Sequence, residues 1–318
     1  MISNEKLFAV AVAYYLNGRR QKEIADEYGV SHVQVGKYLK LAHDRGIVEI
    51  NINPPYVTKD EQKRYSLLFK EIYGLPELVL VPGANSEKHM YSFLVEGASE
   101  YLLRSFPKSQ TNVGFGLGRT MNEISSYKVR TTDRRNSWRY YPVLNYNLIC
   151  NRTLDDKLDY FDYRNITENF IRFWGGQTDR NFMELVRQEI NQESPTFDVT
   201  EYWNSLDIII GGIGVPFSRE PNVRKAMFGE KITGELRGKD ITGDYLNYFF
   251  DTEGNVYEPI MHGRQMMPWN KIQAVKHKIA IAAGYQKVAS IIGLLKCQTV
   301  DTLITDVSTA RNILEYAK

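Results

Sequence analysis

The chain has 318 residues, 43% of them hydrophobic and 25% charged, with a formal net charge of +2. No apolar run approaches the ~18 residues of a membrane helix, and no basic segment leads into an apolar core at the N-terminus, so a soluble, cytoplasmic protein without membrane association is expected. Cys150 and Cys297 lack C-x-x-C spacing and the histidines form no H-x-x-x-H pattern; buried thiols are expected, with no disulfide framework, metal site or cofactor.

So small a net charge leaves any nucleic-acid contact to local placement of basic residues. From Asn4 to Asn17, Leu7, Val10, Ala11, Tyr14 and Tyr15 recur at helical spacing and predict an amphipathic helix. "QKEIADEYG" predicts a second, with Ile24, Ala25 and Tyr28 inward and Gly29 as its left-handed terminator. Ser31 offers an N-cap for a third helix from His32, with Val35, Tyr38, Leu39 and Ala42 inward and His32, Gln34, Gly36, Lys37 and Lys40 outward. Two short helices joined by "YGVS" fit an ordinary helical corner or a helix-turn-helix. The polar groups favour the latter. Ser31, His32, Gln34 and Lys37 stand where base edges and phosphates of double-stranded operator DNA are contacted, and Arg19, Arg20, Gln21 and Lys22 sit at the preceding break. Lys37 and Lys40 also fit a solvated helix face. Alternation in "IVEINI" predicts a strand, which makes residues 1–53 a winged helix-turn-helix domain.

"NPPYVTKDEQ" interrupts regular structure, and Thr58 with Glu61 has capping-box spacing for a new helix whose stripe is Tyr65, Leu68, Phe69 and Ile72. Residues 54–74 are read as linker and connecting helix, which either packs on its own domain or helps subunits pair. Beyond it, "LVLVP", "NVGFG", "YYPVLNY", "LDIIIGGIG", "HKIAIAAG" and "VDTLITD" are short apolar runs separated by helix-length stretches. Near-continuous apolar strands predict a doubly wound, mostly parallel α/β domain over residues 75–318, with ligands bound beyond the strands' carboxyl ends.

"VGFGLGRTMNEI" follows one such strand. Counting from Gly114, a dinucleotide fingerprint fails because its sixth position is Arg119, and no Gly-Lys-Ser/Thr closes a Walker loop. Gly116, Gly118, Arg119 and Thr120 at a strand-to-helix turn suit an anion, or else form a packing turn with a surface arginine. Gly211, Gly212 and Gly214 follow "LDIII" and allow close backbone approach; Asp244 fits a polyol hydroxyl or a helix cap, and Lys287 a phosphate or solvent. The basic stretch "YKVRTTDRRNSWRYY", with Arg130, Arg134, Arg135 and Arg139, reads as solvated surface or as a polyanion contact.

With "YYLNGRRQKEIADEYGVSHVQVGKYLKLAHDRGIVEI", "VGFGLGRTMNEI", "LDIIIGGIG", "GDYLNYFFDTEG", "IAIAAGYQKVASII" and "VDTLITDVSTARNIL" in this order, the chain resembles the SorC family of bacterial transcriptional regulators over nearly its whole length. The resemblance implies an effector domain like that of sugar-phosphate isomerases, a small phosphorylated sugar as effector, and a homo-oligomer, dimer or tetramer, on DNA. Carried over by position, it implies that Gly116, Gly118, Arg119 and Thr120 border the effector site and that Gly212, Asp244 and Lys287 line it. Asn145 and Tyr146 stand where the family commonly has a glycine pair, Tyr285 where a second glycine often follows "AAG", and Gly36 and Lys37 where Ser and Arg are common. These departures imply a smaller site or another ligand, and another operator. Against the regulator stand two alternatives: a sugar-phosphate isomerase or deaminase with Asp244 and Lys287 as acid and base, and an interaction scaffold without a ligand.

Overall fold

A computed structural model of the chain describes residues 2–48, 57–143, 162–188, 199–215, 234, 236, 239–257 and 266–316. The chain divides into two units, Met1–Pro54 and Pro55–Lys318. In the first, α1 (Asn4–Ala11) continues into a π-helical turn (Val12–Leu16), followed by α2 (Gln21–Tyr28) and α3 (His32–Asp44). Local signals set these boundaries. Gly29 ends α2 at φ +63°, and Ser31 Oγ accepts from Gln34 N–H at 3.2 Å to start α3. Leu7, Val10, Ile24, Ala25, Val35, Leu39 and Ala42 form the core. The wider π turn changes the expected stripe: Ala13 is buried, whereas Tyr15 is exposed. The wing strand expected from "IVEINI" falls largely on residues outside those described.

In the second unit, α4 (Lys59–Tyr73) begins at the predicted box, with Thr58 N–H donating to Glu61 Oε2 and Glu61 N–H to Thr58 Oγ1, both at 3.2 Å. Its buried stripe is Tyr65, Phe69 and Tyr73; Ile72, expected inward, is exposed because it lies on the flank of that stripe. Gln62 ties the helix to the sheet, donating to the Leu78 carbonyl at 2.6 Å and accepting from Leu80 N–H at 2.9 Å. α4 therefore packs on the α/β unit.

In chain order the strands are β1 (Glu77–Val81), β2 (Thr111–Phe115), β3 (Trp138–Pro142), β4 (Ile208–Gly212), β5 (Ile241–Tyr245), β6 (Tyr248–Asp251), β7 (Val256–Tyr257), β8 (His277–Ile281) and β9 (Thr302–Asp306). Six form one parallel sheet in the order β1-β9-β8-β4-β2-β3, and β5-β6-β7 form a small antiparallel sheet. From β2 the chain moves outward to β3, then returns to β4 and winds the other way through β8 and β9. β2 and β4 are thus neighbours whose connections diverge, which opens the crevice at their carboxyl ends.

Alternate side chains build a core on each face of the sheet. Val113, Phe115, Ile208, Ile210, Ile279 and Ile281 face α5 (Glu87–Ser105), α6 (Arg119–Ser125) and α7 (Tyr163–Asn169). Ile209, Ala280 and Leu303 share the opposite core with α4, the small sheet and the helices Val288–Lys296 and Val307–Tyr316. Arg135, expected as solvated surface, is buried: its guanidinium donates to the carbonyls of Asp133 and Leu103 and lies 5.5 Å from the Trp138 ring centroid. Arg130 is exposed; Arg134 and Arg139 are half-buried.

Candidate functional site

The predicted DNA-facing residues divide by what already holds them. Arg19 pairs with Glu27 and reaches the Glu23 carbonyl at 3.5 Å, so its guanidinium clasps α2. Arg20 is exposed, and its N–H donates to Glu23 Oε2 at 3.3 Å at the start of α2. Gln21 lies against α3, its Oε1 3.6 Å from where a Cβ on Gly36 would sit. Ser31 is the α3 cap; His32 and Lys37 are exposed beyond it and Gln34 is half-exposed. An exposed residue that the sequence reading passed over is Val33.

At the switch point of the α/β sheet, β2 ends at Phe115 and α6 starts at Arg119 after Gly118, which is held at φ +108°. No side chain caps this helix. Thr120 on its first turn accepts from Tyr91 Oη at 3.2 Å, and a Cβ on Gly212 would come within 3.1 Å of Thr120. Burial pushes the Tyr91 phenol up to about 12, so it serves as a neutral donor. The Arg119 guanidinium stacks 4.1 Å from the Tyr91 ring centroid and pairs with Glu87 at 3.6 Å, remaining half-exposed at the rim. Tyr91 and Glu87 come from α5, too distant in sequence for any local motif to announce them.

On the other side of β4, Gly214 N–H donates to the Asp244 carbonyl at 2.8 Å, and Lys287 Nζ donates to the carbonyl of Ile213. Gly212, Thr120, Ile213, Asp244 and Lys287 are therefore brought together around the end of one strand. Asp244 lies within β5 and is buried, so it is not the helix cap considered from the sequence.

Two glycines have another job. Leu246 and Asn247, at φ +52° and +64°, form the tip of the β5–β6 hairpin. Leu246 Cδ2 would meet a Cβ on Gly116 at 2.7 Å and one on Gly211 at 2.9 Å, so the leucine occupies the space that these glycines leave open. A non-glycine residue at this φ is strained, and packing at the switch point holds it there. Tyr285 is 77% exposed, so its ring does not fill the interior as a substitute for glycine was expected to. Asn145 and Tyr146 lie outside the described residues.

A helix-turn-helix unit joined to a doubly wound α/β unit, with polar groups gathered at its switch point, is the organisation of a ligand-responsive transcriptional regulator. The family described as "Putative sugar-binding domain" matches residues 182–315. The sorbitol operon regulator of Klebsiella pneumoniae is 25% identical over 324 residues, covering 96% of this chain and 96% of that protein. The transcriptional regulator LsrR of Escherichia coli is 24% identical over 327 residues, covering 99% of this chain and 96% of its own. The crystal structure of full-length SorC from Klebsiella pneumoniae shares the fold, with a TM-score of 0.66 at 22% identity and 99% of each chain covered. Over nearly its whole length the chain is therefore similar to transcriptional regulators of the SorC type, and its α/β unit carries the match to a sugar-binding domain. These matches favour a regulator over a sugar-phosphate isomerase or deaminase. Among the described residues, no helix is long and apolar enough to cross a membrane.

Proposed function

We propose that this regulator binds double-stranded operator DNA of carbohydrate genes through α2 and α3, and is controlled by a small phosphorylated sugar at the β2–β4 switch point. It acts as a cytoplasmic homo-oligomer, a dimer or tetramer, without catalysis. The observation that supports the effector site best is the convergence of Thr120, Gly212, Ile213, Asp244 and Lys287 around the carboxyl end of β4. Lys287 and Arg119 supply cations for a phosphate, the first-turn N–H groups of α6 supply donors, and Asp244 supplies an acceptor for sugar hydroxyls.

The test is a titration of sugar phosphates against the full chain on promoter DNA, with Lys287→Met beside the wild type. An effector should change DNA affinity in the wild type. Losing a charge-assisted bond worth about 1.5–3 kcal/mol should raise the effector concentration needed by roughly 10- to 150-fold in the variant, with effector-free DNA binding retained. A flat panel, or a variant that responds like the wild type, would sink this assignment.

A further inference from the structure

Val33 is the second residue of α3 and is 57% exposed. At ~100° per residue it lies roughly 150° around the helix from the centre of the buried stripe Val35, Leu39 and Ala42. Lys37 and Lys40, both exposed, flank it on this outward face. A single exposed apolar residue is ordinary on a protein surface; the neighbouring glycine makes this one different. Gly36, one turn further along and about 60° round the helix towards α2, is half-exposed and absent from the positions with positive φ, and a Cβ there would meet only Gln21 Oε1, at 3.6 Å. Neither backbone conformation nor packing requires glycine at that point, yet a mid-helix glycine weakens a helix relative to alanine. Together they make a strip with an apolar projection, a bare stretch of backbone and two cations, shaped to receive a flat, polyanionic surface closely.

We propose that Val33 is a specificity-determining residue that packs against the 5-methyl group of a thymine in the operator's major groove, while Gly36 lets the helix backbone approach and Lys37 and Lys40 meet phosphates. This rests on the DNA-binding reading above and names what it reads. In the major groove the thymine methyl is the apolar feature that marks a T·A pair, and a small apolar side chain near the start of the recognition helix is the group that can sense it.

The experiment selects duplexes from a random-sequence pool with the full-length chain, then replaces each thymine of the best-enriched duplex by uracil, which deletes only the methyl group. Affinities are measured for wild type, Val33→Ala and Val33→Thr. One thymine per half-site should weaken wild-type binding by about fourfold on conversion to uracil, the effect of un-burying one methyl-sized group. Val33→Ala should lose that penalty at that position alone, and Val33→Thr, which keeps one γ-methyl, should retain part of it. A wild type indifferent to every uracil, or a Val33→Ala protein with all the uracil penalties of the wild type, overturns the proposal while leaving DNA binding intact. Enrichment of no duplex at all overturns the DNA reading itself.

Discussion

Replacing Gly116 and Leu246 by alanine, singly and together, tests whether the glycine after β2 is a packing position or a place for a ligand to approach. A Cβ on Gly116 meets Leu246 Cδ2 at 2.7 Å and nothing else closer than 3.8 Å, and Gly116 is not at positive φ. The penalty for Gly116→Ala is thus collision with one methyl group, about 1–3 kcal/mol as overpacking. Leu246 is 3% exposed, so Leu246→Ala should cost about 2–5 kcal/mol as a large-to-small core substitution. In the double variant the added methyl enters space that the leucine vacated. Its cost should fall short of the summed single costs by about 0.5–3 kcal/mol, outside the 0.3–0.5 kcal/mol scatter of independent sites. Urea unfolding measures this from the midpoints, provided the slope stays constant across the four proteins. Additivity within about 0.5 kcal/mol would refute the packing argument and return Gly116 to the role of ligand approach.

Lys37→Ala should weaken binding to all duplexes alike and lower the salt slope by about one unit if Lys37 meets a phosphate; an unchanged slope would leave it a solvated lysine. Burial alone would raise the Asp251 carboxyl, but hydrogen bonds from Asn255, Tyr257 and the Glu253 backbone hold it below the usual carboxylate range. A depressed folded value gives stability that is complete above the unfolded value of about 3.9 and lost as pH falls through the folded one. The penalty of Asp251→Asn in thermal unfolding should therefore shrink between about pH 6 and about pH 2, and an equal penalty at both would contradict this. Burial also pushes the Cys297 thiol up to about 12, so iodoacetamide near pH ~8 should label its peptide only after unfolding, as read by mass spectrometry.

What could be read from the sequence was what local chemistry fixes. Gly29 and Ser31 mark the turn between α2 and α3 because one tolerates left-handed φ and the other satisfies a free N–H, and both act there. The six parallel strands were legible as apolar runs because both faces of the sheet are covered. The small antiparallel sheet was not. β5 and β6 are largely buried on both sides, leaving no clear alternation, and their turn uses Leu246 and Asn247 where a glycine would have signalled a hairpin. Arg135 was misread because a run of arginines says nothing about which one finds backbone carbonyls in the interior. At the candidate site, Gly212 and Lys287 could be named from the carboxyl end of a strand and the start of a helix, and Asp244 from its carboxylate chemistry and the family resemblance. Tyr91 and Leu246 reach the same place only through tertiary packing, so no spacing rule points to them.

The connecting helix follows the linker between the two units, and its packing argues against independent movement. Tyr65, Phe69 and Tyr73 are at most 9% exposed, and Gln62 bonds to both Leu78 and Leu80 of β1. Un-burying three such side chains costs about 1.5–3 kcal/mol each before the hydrogen bonds are counted. An effector that reverses an equilibrium from 1:99 to 99:1 supplies ~5.5 kcal/mol of differential affinity. Detaching α4 would consume all of that and leave nothing to favour a new arrangement. β1 is also the edge strand, separated by β9 and β8 from the β4–β2 switch point, so a ligand there makes no contact by which it could distinguish two positions of α4. The helix is therefore carried as a fixed part of the α/β unit.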